Sequence, residues 1–333
     1  MRNYFLGIFI LTALFTMLGC ESDTKSKLNI DVSSVAKSEV KIKRYGKTMF
    51  DIPQEIFMDT VMNFAKEFPL FFDGGRSDTL ALLSLKSFFG DQYMRELNDE
   101  VQQKFPNLAD IEDQLSGAMQ HFKYYFPTSI DYKYYSYISG LDIQFPVKVA
   151  DNNIVIGLDL YLGHTKVYDL SGFPKYKSVW LTKESLVADV MSEMAMGILP
   201  EPDKSAVLLH QFIEQGKRLY FIQAMLPQIS DTLLLKYTQE QYDWCINHEA
   251  RLWSLMIENQ FLFETDVAIQ KKFIDDGPFT SILSSAAPAR LGHFIGWRIV
   301  SKYMARNDAS LQQLLSETND QKILKESKYK PRR

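Results

Sequence analysis

The order of the local patterns along this chain restricts its fold more than any single motif does. Segments rich in aromatic and β-branched residues, typical of strands, occupy residues 132–138, 145–149 and 154–158, and the polar residues at 151–153 indicate a turn. Residues 41–45 add one short, lysine-bearing segment that suits an edge strand. Long stretches with helical periodicity flank this group. We therefore predict an α+β fold in which helices dominate and a small sheet lies between two helical halves.

The flanking stretches place apolar residues three and four positions apart and several end near prolines, as amphipathic helices do. Thr238 and Gln241 form a capping-box pattern at the start of one of them. The predicted helices cover about residues 53–66, 79–88, 91–104 and 109–125 before the strands, and about residues 182–197, 204–225, 238–263 and 289–306 after them.

An apolar run at the N-terminus ends in a cysteine. Residues 4–17 are almost entirely hydrophobic, follow Arg2, and are too few for a comfortable membrane span, which is typical of a secretory leader. Leu18, Gly19 and Cys20 match a lipobox, so we expect cleavage before Cys20 and attachment of lipid, including palmitate, to this residue. The alternative is an uncleaved N-terminal anchor helix. Both interpretations attach the chain to a membrane.

The sequence divides into four predicted parts. Residues 1–19 are predicted to be the lipoprotein signal peptide, and residues 20–40 a lipidated flexible tether, because serine, lysine and acidic residues alternate there without a firm period. Residues 41–325 are predicted to form a single globular α+β domain. Residues 326–333 are predicted to be a loose charged tail.

The composition suits a folded protein that does not bind nucleic acid. Hydrophobic residues make up 46% of the chain, enough for a large core. The 37 basic and 41 acidic residues give a net charge of −4, whereas nucleic-acid binding favours a basic surface. Once Cys20 carries lipid, Cys245 remains alone and no intramolecular disulfide can form.

The motifs of common hydrolases and nucleotide-binding proteins are absent from the sequence. There is no glycine-rich phosphate loop and no Gly-x-Ser-x-Gly motif. None of the five histidines belongs to a His-Glu-x-x-His motif, because Leu252 stands where a second histidine would follow His248 and Glu249. We interpret Cys245 as a buried structural cysteine.

Two helical pairs of potential metal ligands remain. Asp189 and Glu193 are four residues apart on one predicted helix, and His210 and Glu214 are four apart on the next, so each pair shares a face. Together they could form a hard, oxygen-rich cation site. The alternative is a solvated polar face, because Asp189 and Glu193 lie opposite the apolar stripe of their helix.

A group of tyrosines in the strand region could form a sugar- or peptide-binding surface, which would be the surface for a partner. The alternative is ordinary sheet packing. The loop at 163–178 also suits an exposed functional loop, and its histidine is part of the predicted surface. The residues of this predicted partner surface are Tyr132, Tyr134, Tyr135, Tyr137 and His164.

Several short motifs follow one another in the second half of the chain. They are IGLDLYLG at 156–163, ADVM at 188–191, IEQGKRLY at 213–220, YTQEQ at 237–241, WC at 244–245, GPFT at 277–280, PARLG at 288–292 and IGWRIV at 295–300. In this order they resemble the GldB gliding-motility lipoprotein family over about residues 45–331, in agreement with the lipobox. The resemblance implies an envelope lipoprotein that rod-shaped bacteria need for gliding and that associates with the motility and secretion apparatus.

That family is in turn similar to predicted zinc peptidases of zincin type, which implies a zincin-like scaffold. By this resemblance the two ligand histidines correspond to Asp189 and Glu193, the catalytic glutamate to Val190, and the third ligand to Glu214. Val190 cannot accept a proton, and carboxylates replace both imidazoles. We therefore expect a vestigial site at these positions, without catalysis and without a metal or another cofactor.

These observations lead to one hypothesis with two alternatives. The protein is expected to be a non-enzymatic scaffold or assembly component of the gliding machinery, whose partners are the membrane, through lipid on Cys20, and other motility and secretion proteins. It is expected at the outer membrane, facing the periplasm. The alternatives are a zinc metallopeptidase that uses an atypical site, and a lipoprotein that binds cell-wall glycan through the tyrosine group.

Overall fold

A computed structural model describes residues 27–72, 78–163, 165–200 and 207–331. Helices account for 59% of the described residues and strands for 6%, which confirms the prediction of a helix-dominant α+β fold. The zincin-like scaffold stays a prediction. The leader, Cys20 and His164 lie outside the described residues. None of the described helices is both long and apolar enough to cross a membrane.

One mixed sheet joins the two halves of the chain. Its strands are β1 (Ile42–Arg44), β2 (Lys133–Tyr137), β3 (Val147–Ala150) and β4 (Asn153–Gly157), in the order β1-β2-β4-β3. β2 is parallel to both of its neighbours, whereas β3 and β4 form an antiparallel hairpin. Asp151 in the hairpin turn has φ of 51°, a conformation that aspartate tolerates better than most residues. All four predicted strands are present, and β1 lies at the edge as expected.

The helices of the N-terminal half pack beside this sheet. The predicted helix at 53–66 is interrupted: one helical turn is followed by a 3₁₀ turn at Val61–Phe64. Two longer helices begin where Asp78 and Asp91 accept hydrogen bonds from backbone N–H groups of the first turn. The helices are α1 (Tyr45–Phe50), α2 (Phe57–Thr60), α3 (Thr79–Gly90), α4 (Gln92–Lys104) and α5 (Ala109–Tyr125).

The C-terminal half is almost entirely helical. The capping box predicted for Thr238 and Gln241 is present, with both reciprocal hydrogen bonds formed. The helices are α6 (Lys166–Leu170), α7 (Lys175–Ser178), α8 (Lys183–Ile198), α9 (Leu208–Met225), α10 (Asp231–Leu235), α11 (Gln239–Glu258), α12 (Val267–Ile274), α13 (Leu291–Arg306), α14 (Leu311–Ser316) and α15 (Asp320–Ser327).

Helices α9 and α13 approach each other very closely. A Cβ atom added to Gly216 would collide with the carbonyl oxygen of Gly296, and one added to Gly296 would collide with the carbonyl oxygen of Phe212. Only glycine permits two helix backbones to come this near. This contact fixes α9 in the centre of the C-terminal half, and side chains project from it in two directions.

The described part of the predicted tether is packed against the domain. Leu28 and Val40 are buried, because the few aliphatic residues of this segment reach the core. The side-chain amide of Gln120 donates to the carbonyl oxygens of Val32 and Val35 at 3.0 and 2.7 Å. Residues 27–40 are therefore part of the globular domain and not a flexible tether.

The C-terminal segment is also docked. Tyr329 is buried, its ring packs edge-on against Trp253, and its hydroxyl donates to the Glu249 carboxylate at 2.8 Å. The expectation of a loose tail is therefore wrong for residues 326–331, because one tyrosine anchors a segment whose other residues are mostly charged or polar.

Candidate functional site

A polar cleft opens between β3, helices α8 and α9, and the segments before α11 and α13. Its volume is about 520 Å³. A second cavity of about 230 Å³ adjoins it and shares several of its lining residues. The charged and polar residues of the larger cavity are Lys177, Asp189, Ser192, Glu193, Gln215, Arg218, Lys236, Asp275, Asp276, Arg290 and His293.

Asp189 of α8 is held by two partners in the wall of the cleft. The Nζ atom of Lys236 lies 2.6 Å from Oδ1, and the hydroxyl of Tyr161 donates to Oδ2 at 3.2 Å. Burial and the neighbouring carboxylate raise the pKa of Tyr161 well above its usual value, so this hydroxyl stays protonated as a donor. The Asp189 side chain is only 15% exposed. The prediction of a solvated polar face therefore does not hold for this residue.

Glu193 follows one turn later and faces the same cleft. No described residue forms a hydrogen bond or salt bridge with its carboxylate. Burial raises the pKa of Glu193, and the positive charge of Arg218 opposes this shift while Asp189 adds to it. Glu193 is thus a partly buried carboxylate without a direct partner in the described ranges.

Arg218 of α9 uses little of its hydrogen-bonding capacity within the described part of the chain. Its one hydrogen bond with a described residue runs from Nη1 to the Met196 sulfur at 3.8 Å, and a thioether is a weak acceptor. The Nε atom of Arg218 and the Oε1 atom of Gln215 are buried without partners among the described residues. Burial lowers the pKa of Arg218, and the nearby charge of Arg290 lowers it further.

Two more cations reach the cleft from left-handed backbone positions. Lys236 ends α10 with φ of 51°, and Arg290 precedes α13 with φ of 57°. The Arg290 guanidinium donates to the carbonyl oxygens of Leu235 and Lys236 and pairs with Asp276 at 3.4 Å. These contacts tie the ends of α10 and α12 to the start of α13 and hold the cleft wall in place.

His293 closes the inner end of the cleft as a neutral side chain. Because a carbonyl oxygen can only accept, the Nε2–H group donates to the carbonyl of Ile274, at 3.1 Å. Burial, reinforced by the charges of Arg290 and Arg218, holds the pKa of His293 well below its usual value. His293 therefore presents Nδ1 as an acceptor and carries no charge at neutral pH.

His210 and Glu214 face the C-terminal helices instead of the cleft. Nδ1 of His210 lies 2.9 Å from the Asp320 carboxylate. Lys217, which is 1% exposed, donates to Glu214 at 2.8 Å and to the Glu317 carbonyl oxygen at 2.6 Å. The structure therefore does not bring Asp189 and Glu193 together with His210 and Glu214, and the sequence-based cation site is divided between two sides of α9.

The residues at the vestigial positions do not fit a catalytic zinc ion. Lys236 neutralises Asp189, Lys217 neutralises Glu214, and Val190 is fully buried in the core. Within the described ranges, no three His, Cys, Asp or Glu side chains are placed to share a metal ion. A catalytic zinc site needs about three free ligands and a nearby proton acceptor.

The tyrosine group is mostly part of the sheet packing. Tyr134 and Tyr135 are buried, and the ring of Tyr135 lies 5.8 Å from that of Phe71. These two residues cannot form a partner surface, because their rings fill the core beside the sheet. Tyr132 and Tyr137 are half-buried.

Cys245 is buried, in agreement with its interpretation as a structural cysteine. Burial raises the pKa of its thiol to about 12. At neutral pH the thiol is therefore protonated and a poor nucleophile.

Sequence reasoning did not single out the cations and the amide that give the cleft its character, namely Arg218, Lys236, Arg290 and Gln215. One usable signal was present: Lys217 and Arg218 are adjacent cations in the middle of an otherwise largely apolar helix. The positions of Lys236 and Arg290 depend on how the ends of α10 and α13 meet, which is not encoded in any local pattern.

A sequence model of the family described as "Gliding motility protein GldB" matches residues 25–331 of the chain. This range includes the sheet, both helical halves and every residue that lines the cleft. No curated protein matches the chain, and no solved structure does. The resemblance carried by the sequence motifs is therefore confirmed, and the chain belongs to the GldB family of gliding-motility lipoproteins.

Proposed function

We propose that this protein is a lipid-anchored, non-catalytic component of the bacterial gliding machinery, with a scaffold or assembly role. The family match supports a function in gliding motility. The observation that carries the non-catalytic part is the ion pairing at the vestigial positions: Asp189 is bound to Lys236, and Glu214 to Lys217. Partners among other motility and secretion proteins follow from the family and not from any contact seen here.

The side chain at position 190 supports the same conclusion, because it cannot accept a proton. Metal-assisted hydrolysis needs a carboxylate or imidazole that takes a proton from the attacking water. Val190, at the position of the catalytic glutamate, is aliphatic and buried. Glu193 and Asp275 are the cleft carboxylates without a direct partner among the described residues, and no three possible ligands of the described chain are placed to share a metal ion.

Lipid attachment at Cys20 would hold the domain close to the membrane. The chain from Cys20 to Lys27 can span at most ~25 Å when fully extended. Because residues 27–40 are packed on the domain, they add no reach. A lipid-anchored protein of this build would work within a short distance of the bilayer, and we propose the periplasmic side of the outer membrane.

Fractionation of cells tests the anchor. Cys20→Ser is expected to release the protein from the membrane fraction or to leave an unprocessed precursor, because the lipid acceptor is lost. Cys245→Ser is the matched control and should stay in the membrane fraction at the mature mass. Mature Cys20→Ser protein in the membrane fraction would refute the anchor.

A peptidase assay with added zinc tests the absence of catalysis. Purified full-length protein in detergent is incubated with denatured casein and a slight excess of Zn²⁺, and cleavage is followed by mass spectrometry. We expect no cleavage above a buffer control. Cleavage that disappears in the Glu193→Gln variant would overturn the scaffold proposal in favour of a metallopeptidase.

Complementation tests the role in motility. Deletion of the gene is expected to stop colony spreading, and the wild-type gene should restore it. Spreading by the deletion strain at the wild-type rate would contradict the proposal.

A further inference from the structure

The cleft contains polar atoms that the domain itself leaves unsatisfied. Nε of Arg218 and Oε1 of Gln215 are buried and have no hydrogen-bond partner among the described residues. Buried polar atoms are almost always paired, because leaving them unpaired costs free energy. Both residues line the same cavity of about 520 Å³, a size typical of small-ligand sites. In an open cleft, water or a bound ligand can supply the missing partners.

Among these groups, the Arg218 guanidinium has the most hydrogen-bond donors. It has five N–H donors in a planar fork, a shape that matches a carboxylate with two parallel hydrogen bonds. Its hydrogen-bond acceptor within the described chain is the sulfur of Met196, a side chain that is 54% exposed and free to move aside. A carboxylate at this position would also offset the unfavourable proximity of Arg290.

The other charges of the cleft indicate that the ligand carries donors as well as one carboxylate. The larger cavity is lined by as many acidic as basic side chains, so it does not favour a multiply charged anion such as phosphate. Near Arg218, the carboxylate of Glu193 and the Oε1 atom of Gln215, which has no partner among the described residues, can accept hydrogen bonds from N–H donors. The basic residues are Lys177, Arg218, Lys236 and Arg290, and the acidic residues are Asp189, Glu193, Asp275 and Asp276.

The adjoining cavity has apolar residues in its lining. Ile143, Val179 and Trp180 line it, and it shares Tyr176 and Lys236 with the polar cleft. An apolar side chain next to the carboxylate-bearing group could therefore be buried there.

We propose that this cleft binds the C-terminal end of a peptide. The terminal carboxylate is held by Arg218, backbone N–H groups donate to Glu193 and Gln215, and an apolar side chain enters the adjoining cavity. The binding needs no metal and no bond cleavage. It goes beyond the scaffold role and does not depend on the lipid anchor.

Calorimetric titration of the purified full-length protein in detergent tests the proposal. The probes are the tripeptide alanyl-leucyl-alanine with a free carboxylate, the same peptide as its C-terminal amide, and free alanine. The free acid is expected to bind, and the amide to bind at least ~10-fold more weakly, because it loses a charge-assisted contact. Equal binding of acid and amide, or no binding of the acid, would overturn the proposal. Free alanine that binds as tightly as the tripeptide would overturn the assignment to a peptide.

Substitutions of Arg218 test whether this residue holds the carboxylate of the peptide. Arg218→Met should weaken binding of the free acid by at least ~10-fold, and Arg218→Lys, which keeps the charge but loses the fork, should weaken it by a smaller factor. Arg251→Met changes an exposed arginine of α11 outside the cleft and should leave binding unchanged. If Arg218→Met does not fold, Arg218→Lys decides the outcome, and wild-type affinity in either folded variant would refute the assignment. A failure here leaves the motility and fractionation tests unaffected.

Discussion

The charged side chains on the two sides of helix α9 differ in how well they are paired with other groups of the protein. On the closed side, formed by His210, Glu214 and Lys217, the charged groups are paired: His210 with Asp320 of α15, and Lys217 with Glu214 and with the Glu317 carbonyl oxygen between α14 and α15. Nε2 of His210 and Oδ1 of Asp320 are nevertheless buried without partners among the described residues. The open side, formed by Gln215 and Arg218, faces a cleft, and the hydrogen bond of Arg218 with a described residue is a long contact to sulfur. The helix therefore joins a region that stabilises the fold to a region that is available to a ligand.

The contrast is sharpest between two consecutive residues. Lys217 donates to oxygen acceptors at 2.6 and 2.8 Å, whereas the one hydrogen bond of Arg218 with a described residue is a contact of 3.8 Å with sulfur. Both are cations in the same helix turn, so helix propensity cannot distinguish them. Lys217 stabilises the domain because it faces the C-terminal helices, whereas Arg218 faces the cleft.

The largest expected effect concerns the contact between α9 and α13, which sets the orientation of both sides of α9. Gly216→Ala should lower the free energy of unfolding by ~3 kcal/mol or more, because its Cβ would collide with the Gly296 backbone and the helices would have to separate. Gly197→Ala is the control, since nothing lies within 4 Å of a Cβ added there. It should be neutral or slightly stabilising. Urea unfolding measures both, and equal effects would show that the close approach is not needed.

The second effect compares the neighbouring cations directly. Lys217→Met should destabilise the protein by ~3 kcal/mol, because it leaves the Glu214 carboxylate and the Glu317 carbonyl without their buried partner. Arg218→Met should change stability by less than ~1 kcal/mol, because it removes a partly buried charge that lacks a strong partner. Urea unfolding at pH 7 measures both variants. Similar losses for the two would remove the distinction between the open and closed sides.

The helices and strands were predicted from the sequence more accurately than the contacts between them. The four strands and most long helices follow from local patterns, and the capping box at Thr238 and Gln241 was readable directly. The sequence did not show that Asp189 and Glu193 lie apart from His210 and Glu214, on another side of α9. Helical spacing shows which residues share a face, but the rotation of α9 is fixed by the Gly216–Gly296 contact, which is separated by 80 positions in sequence.

The termini show a related limit of local patterns. Residues 27–40 and 326–331 are polar on average, which predicts mobility, yet each is anchored by isolated apolar residues such as Leu28 and Tyr329. One buried side chain in a polar segment gives no periodicity. Its burial depends on a complementary site elsewhere in the fold.

A third and smaller loss of stability tests whether the C-terminal segment belongs to the same cooperative unit as the closed side. Tyr329→Phe should lower the free energy of unfolding by ~1 kcal/mol, because the Glu249 carboxylate loses one hydrogen bond while keeping its contact with Arg298. Tyr124→Phe is the control, since Tyr124 is 46% exposed. It should be close to neutral. Thermal unfolding compares the two, and no loss in Tyr329→Phe would place the C-terminal segment outside the cooperative unit.

The smallest effect is a difference in pH dependence between two histidines. The hydrogen bond to Asp320 raises the pKa of His210, on the closed side, above its usual 6.5, and partial burial opposes this shift. The stability it contributes is therefore fully present below pH 6.5 and is lost as the pH rises through the folded-state value. Burial and the charges of Arg290 and Arg218 lower the pKa of His293, at the cleft. Its contribution is present above pH 6.5 and is lost as the pH falls.

Urea unfolding of wild type, His210→Gln and His293→Gln between pH 5 and 9 separates these contributions. The stability difference between wild type and His210→Gln should shrink above pH 6.5, since the ion pair with Asp320 weakens as the imidazole loses its proton. The difference between wild type and His293→Gln should shrink below pH 6.5, since the buried imidazole is then forced to take up a proton. Opposite slopes are required because one ring faces a carboxylate and the other faces cations. Parallel slopes would mean that the two histidines share one electrostatic environment, and the contrast between the two sides of α9 would fail.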